Sequence, residues 1–323
     1  MTSEPAAGIP TEPELSVEVP QQVVGRSPWE LFWRRFRKDK FALMGLVIVA
    51  LMITIALLAP VIASVFHGPN AVFLDRLDSF GIPTGPQSDF WFGVDTAGRD
   101  LMVRVAYGAR TSLFIAFFAT GLATLIGVTL GMIAGFYRGR TDTIISRTID
   151  VVLSLPILLL SLGLVSACGL QADGCLGGLI KPGLLLVSYV IGLFTWPYIA
   201  RIVRGQVLSL REKEFIEAAR SMGSSNRRIM FREILPNVAA PIIVYTTLII
   251  PSNILFEAAL SFLGIGVPPD TPSWGQQLSD AGTIFTVAWW MMLFPGFFLF
   301  LTTLAFNLVG DGLRDALDPR TGG

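Results

Sequence analysis

Six long stretches of this chain carry almost no charge, and they decide what it can fold into. Residues 41–66, 111–137, 151–172, 182–200 and 281–310 contain no Asp, Glu, Lys or Arg, and 234–269 contains one, Glu257. About 20 apolar residues in a helix cross the hydrocarbon core of a bilayer. Each run meets that length, with the helix ends inside its limits. Lipid offers no partner to an unpaired backbone group, so a spanning segment must be a helix or a strand of a closed barrel. The runs are far too long for barrel strands. Overall 52% of residues are apolar and 15% are charged, against about 25% charged in a soluble domain. Disorder needs low hydrophobicity and high charge, and nucleic-acid binding needs a basic surface. With 24 Lys and Arg against 24 Asp and Glu, neither fits. Two cysteines and one histidine build neither a disulfide framework nor a metal site. The expected fold is an all-α membrane protein with six transmembrane helices.

An even number of spans puts both termini on one side, and the positive-inside rule selects it. With the N-terminus in the cytoplasm, 19 of the 24 Lys and Arg are cytoplasmic, and the outer segments hold only Arg76, Arg99, Arg104, Arg110 and Lys181. The expected topology is therefore N-in and C-in, in the cell membrane. It comprises a disordered tail over 1–25, an amphipathic interfacial segment over 26–40, and spans at 41–66, 111–137, 144–167, 183–203, 238–264 and 285–309. An external cap loop covers 67–110, a polar cytoplasmic segment covers 210–236, and 310–323 form the cytoplasmic C-terminus. Residues 1–25 are rich in Pro and Glu, a composition that cannot build a core. Between Trp29 and Lys40 aromatic residues alternate with cations, as in a helix lying at the headgroup level. Membrane lipid is thus a partner, and nucleic acid is not. Cys168 and Cys175 flank the outer end of the third span. They either close a short disulfide loop or stay separate thiols, in a compartment that permits the bond.

The segment over 210–236 is too polar to span and too apolar for an idle linker. Its first part reads as a helix, with Phe215, Ala218, Ala219 and Met222 at spacings of three and four forming one apolar face. Glu217, Arg220 and Ser221 lie beside that face. Gly223 is a suitable left-handed stop. Ser224 or Ser225 can cap a second short helix through Phe231, and Pro236 is expected to break the chain before the fifth span. The small residues Ala218, Ala219 and Gly223 allow another surface to come close. The plain alternative is a solvated interfacial loop.

Glu217, Ala218, Ala219, Gly223, Ile234, Leu235 and Pro236 stand at the spacing of the EAA signature, and the segment resembles that of ABC importer permeases. Further stretches narrow the resemblance to the dipeptide, oligopeptide and nickel branch. One is Phe92-Gly-Val-Asp95-Thr-Ala-Gly98-Arg99-Asp100, followed by Tyr107-Gly-Ala-Arg110-Thr-Ser-Leu113. Others are Arg147-Thr-Ile-Asp150 with Pro156, Glu257-Ala-Ala-Leu-Ser-Phe-Leu-Gly264, and the ending from Asn307 to Pro319. The aromatic and basic entry to the first span is similar to the C-type member of the permease pair. The resemblance covers roughly residues 28–319. It implies the type I importer permease fold, in which the short helix couples to an ATPase subunit through Glu217 as polar contact, with Phe215, Ala218, Ala219, Arg220, Ser221, Met222 and Gly223 around it. It also implies as partners a homologous second permease, an external substrate-binding protein, and one fused or two ATP-binding subunits. ATP and Mg would be bound by those subunits, because this chain has no Gly-x-x-x-x-Gly-Lys-Ser/Thr loop. The chain is therefore not expected to be an enzyme. The implied cargo is a di- or oligopeptide, or in the same branch nickel or another small solute.

Glu257 is a candidate pathway residue, because an ionisable group inside a span is functional by default. Pairing with a neighbouring helix is its plain alternative. Pro156, Pro197, Pro251 and Pro295 can bend their spans. Arg147 and Asp150 are close enough to pair. Asp95, Gly98, Arg99 and Asp100 are expected to order the external cap or to meet the binding protein. An ion-coupled secondary transporter is the alternative from another class, but it usually shows several ionisable residues in its spans. A hydrolase needs a nucleophile and base, and His67 reads as a solvated loop residue without a partner.

Overall fold

The computed structural model describes residues 28–169, 175, 180–268 and 270–317. The tail 1–25 and residues 318–323 lie outside the described residues. Short α1 (Pro28–Phe36) precedes α2 (Lys40–Val65), α3 (Leu101–Tyr137), α4 (Gly139–Ser154), α5 (Ile157–Gly169) and α6 (Leu184–Leu210). Then come α7 (Glu214–Ser221), α8 (Asn226–Arg228), a π turn (Ile229–Ile234), α9 (Leu235–Phe262), α10 (Trp274–Ala281) and α11 (Trp290–Leu317). Among the described residues five helices are long and apolar enough to span a membrane, or six if the bent pair α4 and α5 forms one span. Among the described residues β pairing is limited to isolated bridges.

Several boundaries differ from the sequence expectation. The cap loop ends at Asp100 rather than 110, because the Asp100 carboxylate accepts from the Met102 and Val103 amides and starts α3 ten residues early. The third run is not one straight span: α4 and α5 meet at 85°. Leu155, forced toward extended geometry by the following Pro156, has φ −85° and ψ 144°. The other prolines, Pro60, Pro197, Pro241, Pro251 and Pro295, sit inside continuous helices. The sixth span starts at Trp290 instead of 285 and stays helical to Leu317. Helix α10 has no counterpart in the sequence expectation.

Helix α3 is the spine of the bundle and packs most closely on α6. Gly127, Gly131 and Gly135 fall every four residues along α3, the small-residue spacing that lets two membrane helices approach. A Cβ at Gly131 would lie 2.6 Å from the Ala200 carbonyl oxygen and 2.9 Å from the Val203 Cβ. On its other side α3 meets α9 through polar pairs: buried Ser112 with Glu257 and Asn253 with Thr120 at 2.8 Å, and half-buried Thr124 with Thr246 at 3.2 Å. Helix α1 turns Phe32 and Phe36 onto Ala42 and Ala316, tying the start of α2 to the end of α11.

The cap lies at the end of the bundle opposite α7. Trp274 of α10 is fully buried and donates from Nε1 to the Val105 carbonyl at 3.1 Å. Trp290 donates to the Val94 carbonyl at 3.2 Å and lies over Gly85 and Gly93. These two indoles join the loop, α3, α10 and α11 into one unit.

Candidate functional site

Helix α7 is held at the other end of the bundle, between α6 and α9. Its ending follows from Gly223, which has φ +78°. The Gly223 amide donates to the Arg220 carbonyl and the Ser224 amide to the Ala219 carbonyl. These two bonds are the Schellman pattern and satisfy the last carbonyls of the helix. Ser225 then accepts from the Arg228 amide and starts α8.

The sequence assigned one apolar face to Phe215, Ala218, Ala219 and Met222, and the structure divides it. Ile216 and Ala219 are buried, in a cluster with Val207, Ile229 and Ile234. Phe215, Ala218 and Met222 point away from the bundle, and Met222 is 80% exposed. Glu217, Arg220, Ser221 and Gly223 are exposed as well. The helix is thus anchored on one side, while an apolar strip flanked by Glu217 remains free on the other. Burying a Phe and a Met at such a surface is worth about 1.5–3 kcal/mol each.

Pro236 does not break the chain, a second difference. The helical path runs from Asn226 to Phe262, and a π turn just before the proline widens the helix. The Leu235 amide reaches back to the Met230 carbonyl, five residues away. The proline lacks an amide and crowds the preceding turn, and a π turn accommodates this without ending the helix.

Polar contacts tie the α7 region to α3 and α4. Arg211 donates to the Phe136 carbonyl at the end of α3. Arg138, just past that end, pairs with Glu212 at 2.5 Å. Arg204 of α6 grips both carboxylate oxygens of Asp142 on α4, at 2.5 and 2.8 Å. Asp150 pairs with Arg201 at 2.9 Å rather than with Arg147, because the carboxylate of α4 faces α6. Burial and the cations Arg138 and Arg220 lower the Arg211 pKa, which nevertheless leaves a fully protonated guanidinium. No spacing rule within the sequence connects positions 136 and 211.

Glu257 is fully buried between α3 and α9. Its two oxygens accept from Ser112 at 2.8 Å and Ser261 at 2.7 Å. The carboxylate thus pairs with a neighbouring helix, the contact that the plain alternative to a pathway role expects. Ser112 lies 145 residues away, which is why the sequence alone could not separate the two.

In the cap, Asp95 is 2% exposed and organises the turn. One of its oxygens accepts from the Ala97 and Arg99 amides, and the other meets the Arg99 Nε at 2.7 Å and the Arg104 Nε at 3.2 Å. Gly98, with φ +73°, sits where a Cβ would strike the Phe73 carbonyl. Asp100 binds His67 at 2.8 Å, and His67 also stacks on Phe90. The histidine therefore has a partner, contrary to its reading as a free loop residue. Asp280 on α10 accepts from Gln276 at 3.1 Å. Burial pushes its carboxyl above the usual range, while the Gln276 bond and Arg104 pull it back. The sulfurs of Cys168, in the last turn of α5, and Cys175 are joined.

The chain is similar to known proteins. Residues 127–323 match the family described as "Binding-protein-dependent transport system inner membrane component". Residues 27–77 match the "N-terminal TM domain of oligopeptide transport permease C". The dipeptide transport system permease protein DppC of Alkalihalophilus pseudofirmus is 41% identical over 320 residues, 99% of each chain. The glutathione transport system permease protein GsiD of Escherichia coli is 41% identical over 304 residues, 94% of each. Among solved structures, the inward-facing MetNI methionine ABC transporter aligns with a TM-score of 0.56 at 19% identity, covering 68% of this chain and 98% of that one.

Proposed function

This chain belongs to the family of binding-protein-dependent transport inner membrane components, the permease subunits of ABC importers, and from that premise we propose that it forms half of a translocation pathway for di- or oligopeptides. A homologous second permease forms the other half. One fused or two ATPase subunits bind the ATP and Mg, and an external binding protein delivers the cargo. The chain lies in the cell membrane with both termini and α7 in the cytoplasm, and the cap lies outside. The 19-to-5 split of Lys and Arg supports this orientation. The names of the relatives, a dipeptide and a glutathione permease, support a peptide over nickel. The chain itself performs no catalysis.

The observation that carries the mechanism is the division of α7 into an anchored and a free side. Phe215, Ala218 and Met222 dock on the ATPase, with Glu217 as the charged contact at the edge. Closure of the ATPase dimer displaces α7. Ile216 and Ala219 pass that displacement to α6 and the π turn, and Arg211 and Arg138 with Glu212 pass it to the end of α3. The α3, α6 and α9 group then shifts as a unit between two arrangements, and the nucleotide state selects one of them.

Reconstitution of the complete transporter tests this. A Glu217→Lys, Met222→Glu double variant is expected to keep its fold, because both side chains are exposed. It should lose most uptake and most binding-protein-stimulated ATPase activity. Wild-type uptake and stimulation in that variant would overturn the assignment.

A further inference from the structure

Beside the cap, a cleft of about 440 Å³ opens between the outer end of α3, the start of α6 and the turn after α9. It is lined by Arg110, Tyr107, Thr111 and Phe114 from α3, by Asn70 from the cap loop, and by Asp270 from the turn. Its volume lies in the range of small-ligand sites, about 300–1,000 Å³.

The charges of this cleft are placed unusually. Arg110 is the last charge before the run 111–137, and Asp270 is the first after Glu257. They are the innermost charges at the outer mouth of the two helices that carry the buried polar pairs. Helix α3 has 37 residues, or about 55 Å, against a hydrocarbon core of about 30 Å. Its first turns, including Arg110, therefore stand outside the apolar layer. Both charged residues are exposed. Unlike Asp95, Asp142 and Asp150, neither is engaged in an ion pair among the described residues. One cation and one anion thus line the same cleft without forming an ion pair with each other, and Tyr107 and Phe114 stand about one turn to either side of Arg110 on α3.

We propose that this cleft is an outer subsite for a peptide with free termini. Arg110 receives the carboxylate, Asp270 receives the ammonium, and Tyr107 and Phe114, on either side of Arg110, pack against the apolar parts of the peptide. A guanidinium fork matches a carboxylate in a two-bond geometry that an ammonium cannot reproduce. The site takes a zwitterion in preference to a neutral solute or a bare cation, and it gives peptide leaving the binding protein a first contact on the permease. The inference rests on the importer reading above and adds a place and a chemistry for the cargo. The competing occupant is a side chain of the binding protein itself. A cleft of this volume that carries both signs of charge favours the peptide.

The test uses the full transporter in proteoliposomes with its binding protein. Uptake of radiolabelled alanylalanine and stimulation of the ATPase by the liganded binding protein are measured in parallel. Arg110→Gln is expected to lower uptake at subsaturating peptide about tenfold with stimulation unchanged. Arg110→Lys should retain part of the rate, because the charge remains and only the fork is lost. Asp270→Asn, on an exposed turn, gives an independent measurement should the Arg110 variant fail to assemble. Unchanged uptake in both neutral variants would overturn the subsite. Equal losses of uptake and stimulation would also overturn it, by assigning these residues to docking of the binding protein. Absence of peptide uptake in the wild type would overturn the importer reading, and the subsite with it.

Discussion

The close contact of α3 with α6 makes a prediction whose size follows from two distances. Gly131→Ala would put a Cβ 2.6 Å from the Ala200 carbonyl oxygen and 2.9 Å from the Val203 Cβ. Neither neighbour is the free end of a long side chain, so the two helices must move apart. Overpacking of this kind costs about 1–3 kcal/mol. Replacing glycine by alanine inside a helix also returns up to about 1 kcal/mol of conformational preference. Gly121, on the same helix, has open space where a Cβ would stand, with no atom within 4 Å, so Gly121→Ala keeps the gain without the clash. The difference between the two variants removes the common helix term and leaves packing alone, about 1–3 kcal/mol against Gly131→Ala. Unfolding by SDS titration in mixed micelles, followed by circular dichroism, measures that difference. Equal shifts for the two variants would refute the argument that backbone approach at this glycine row holds α3 to α6.

The Arg204 and Asp142 pair is partly exposed, at 31% and 19%, so a double-mutant cycle with alanine should give a coupling of only about 1 kcal/mol despite the two-bond geometry. Additive single losses would remove the pair as a link between α4 and α6. Asp280 gives a pH prediction. Its carboxyl is raised by burial above the ordinary 3.8, so the folded state holds the proton more tightly than the unfolded one. Stability from this group therefore falls as pH rises from 3.8 through the raised value, and the full penalty is present above it. Asp280→Asn should raise the melting temperature at neutral pH, and the gain should vanish toward pH 3.8. A gain that persists unchanged under acid conditions would contradict burial as the cause.

Much of the α7 segment was legible because its signals are local. Gly223 follows α7 at the position where a left-handed residue closes the last turn, and Ser225 is the cap of the next short helix. Both act within four residues. The close approach of Gly127, Gly131 and Gly135 to α6 was not read from the sequence, because a four-residue glycine spacing does not name its partner. The partners of Arg211, Asp150, His67 and Glu257 were not legible. Each pairs with a residue brought close only by the bundle, from 33 to 145 positions away.

The alternation of charged and charge-free stretches by itself determined a membrane protein, its approximate spans and the end at which α7 lies relative to the cap. That follows from the cost of placing charge and unpaired backbone in hydrocarbon, which every span must meet regardless of its neighbours. Which face of each span touches protein was decided only by tertiary structure. Lipid and protein interior are both apolar, so a helix such as α2 carries no polar stripe to tell its two sides apart. The same limit explains the prolines. Pro156 breaks its run at 85°, while Pro197, Pro251 and Pro295 sit in unbroken helices, because neighbouring helices, not the proline alone, decide whether the chain can continue. Tertiary structure also turned Ile216 inward and left Phe215 free, one step apart on the same helix.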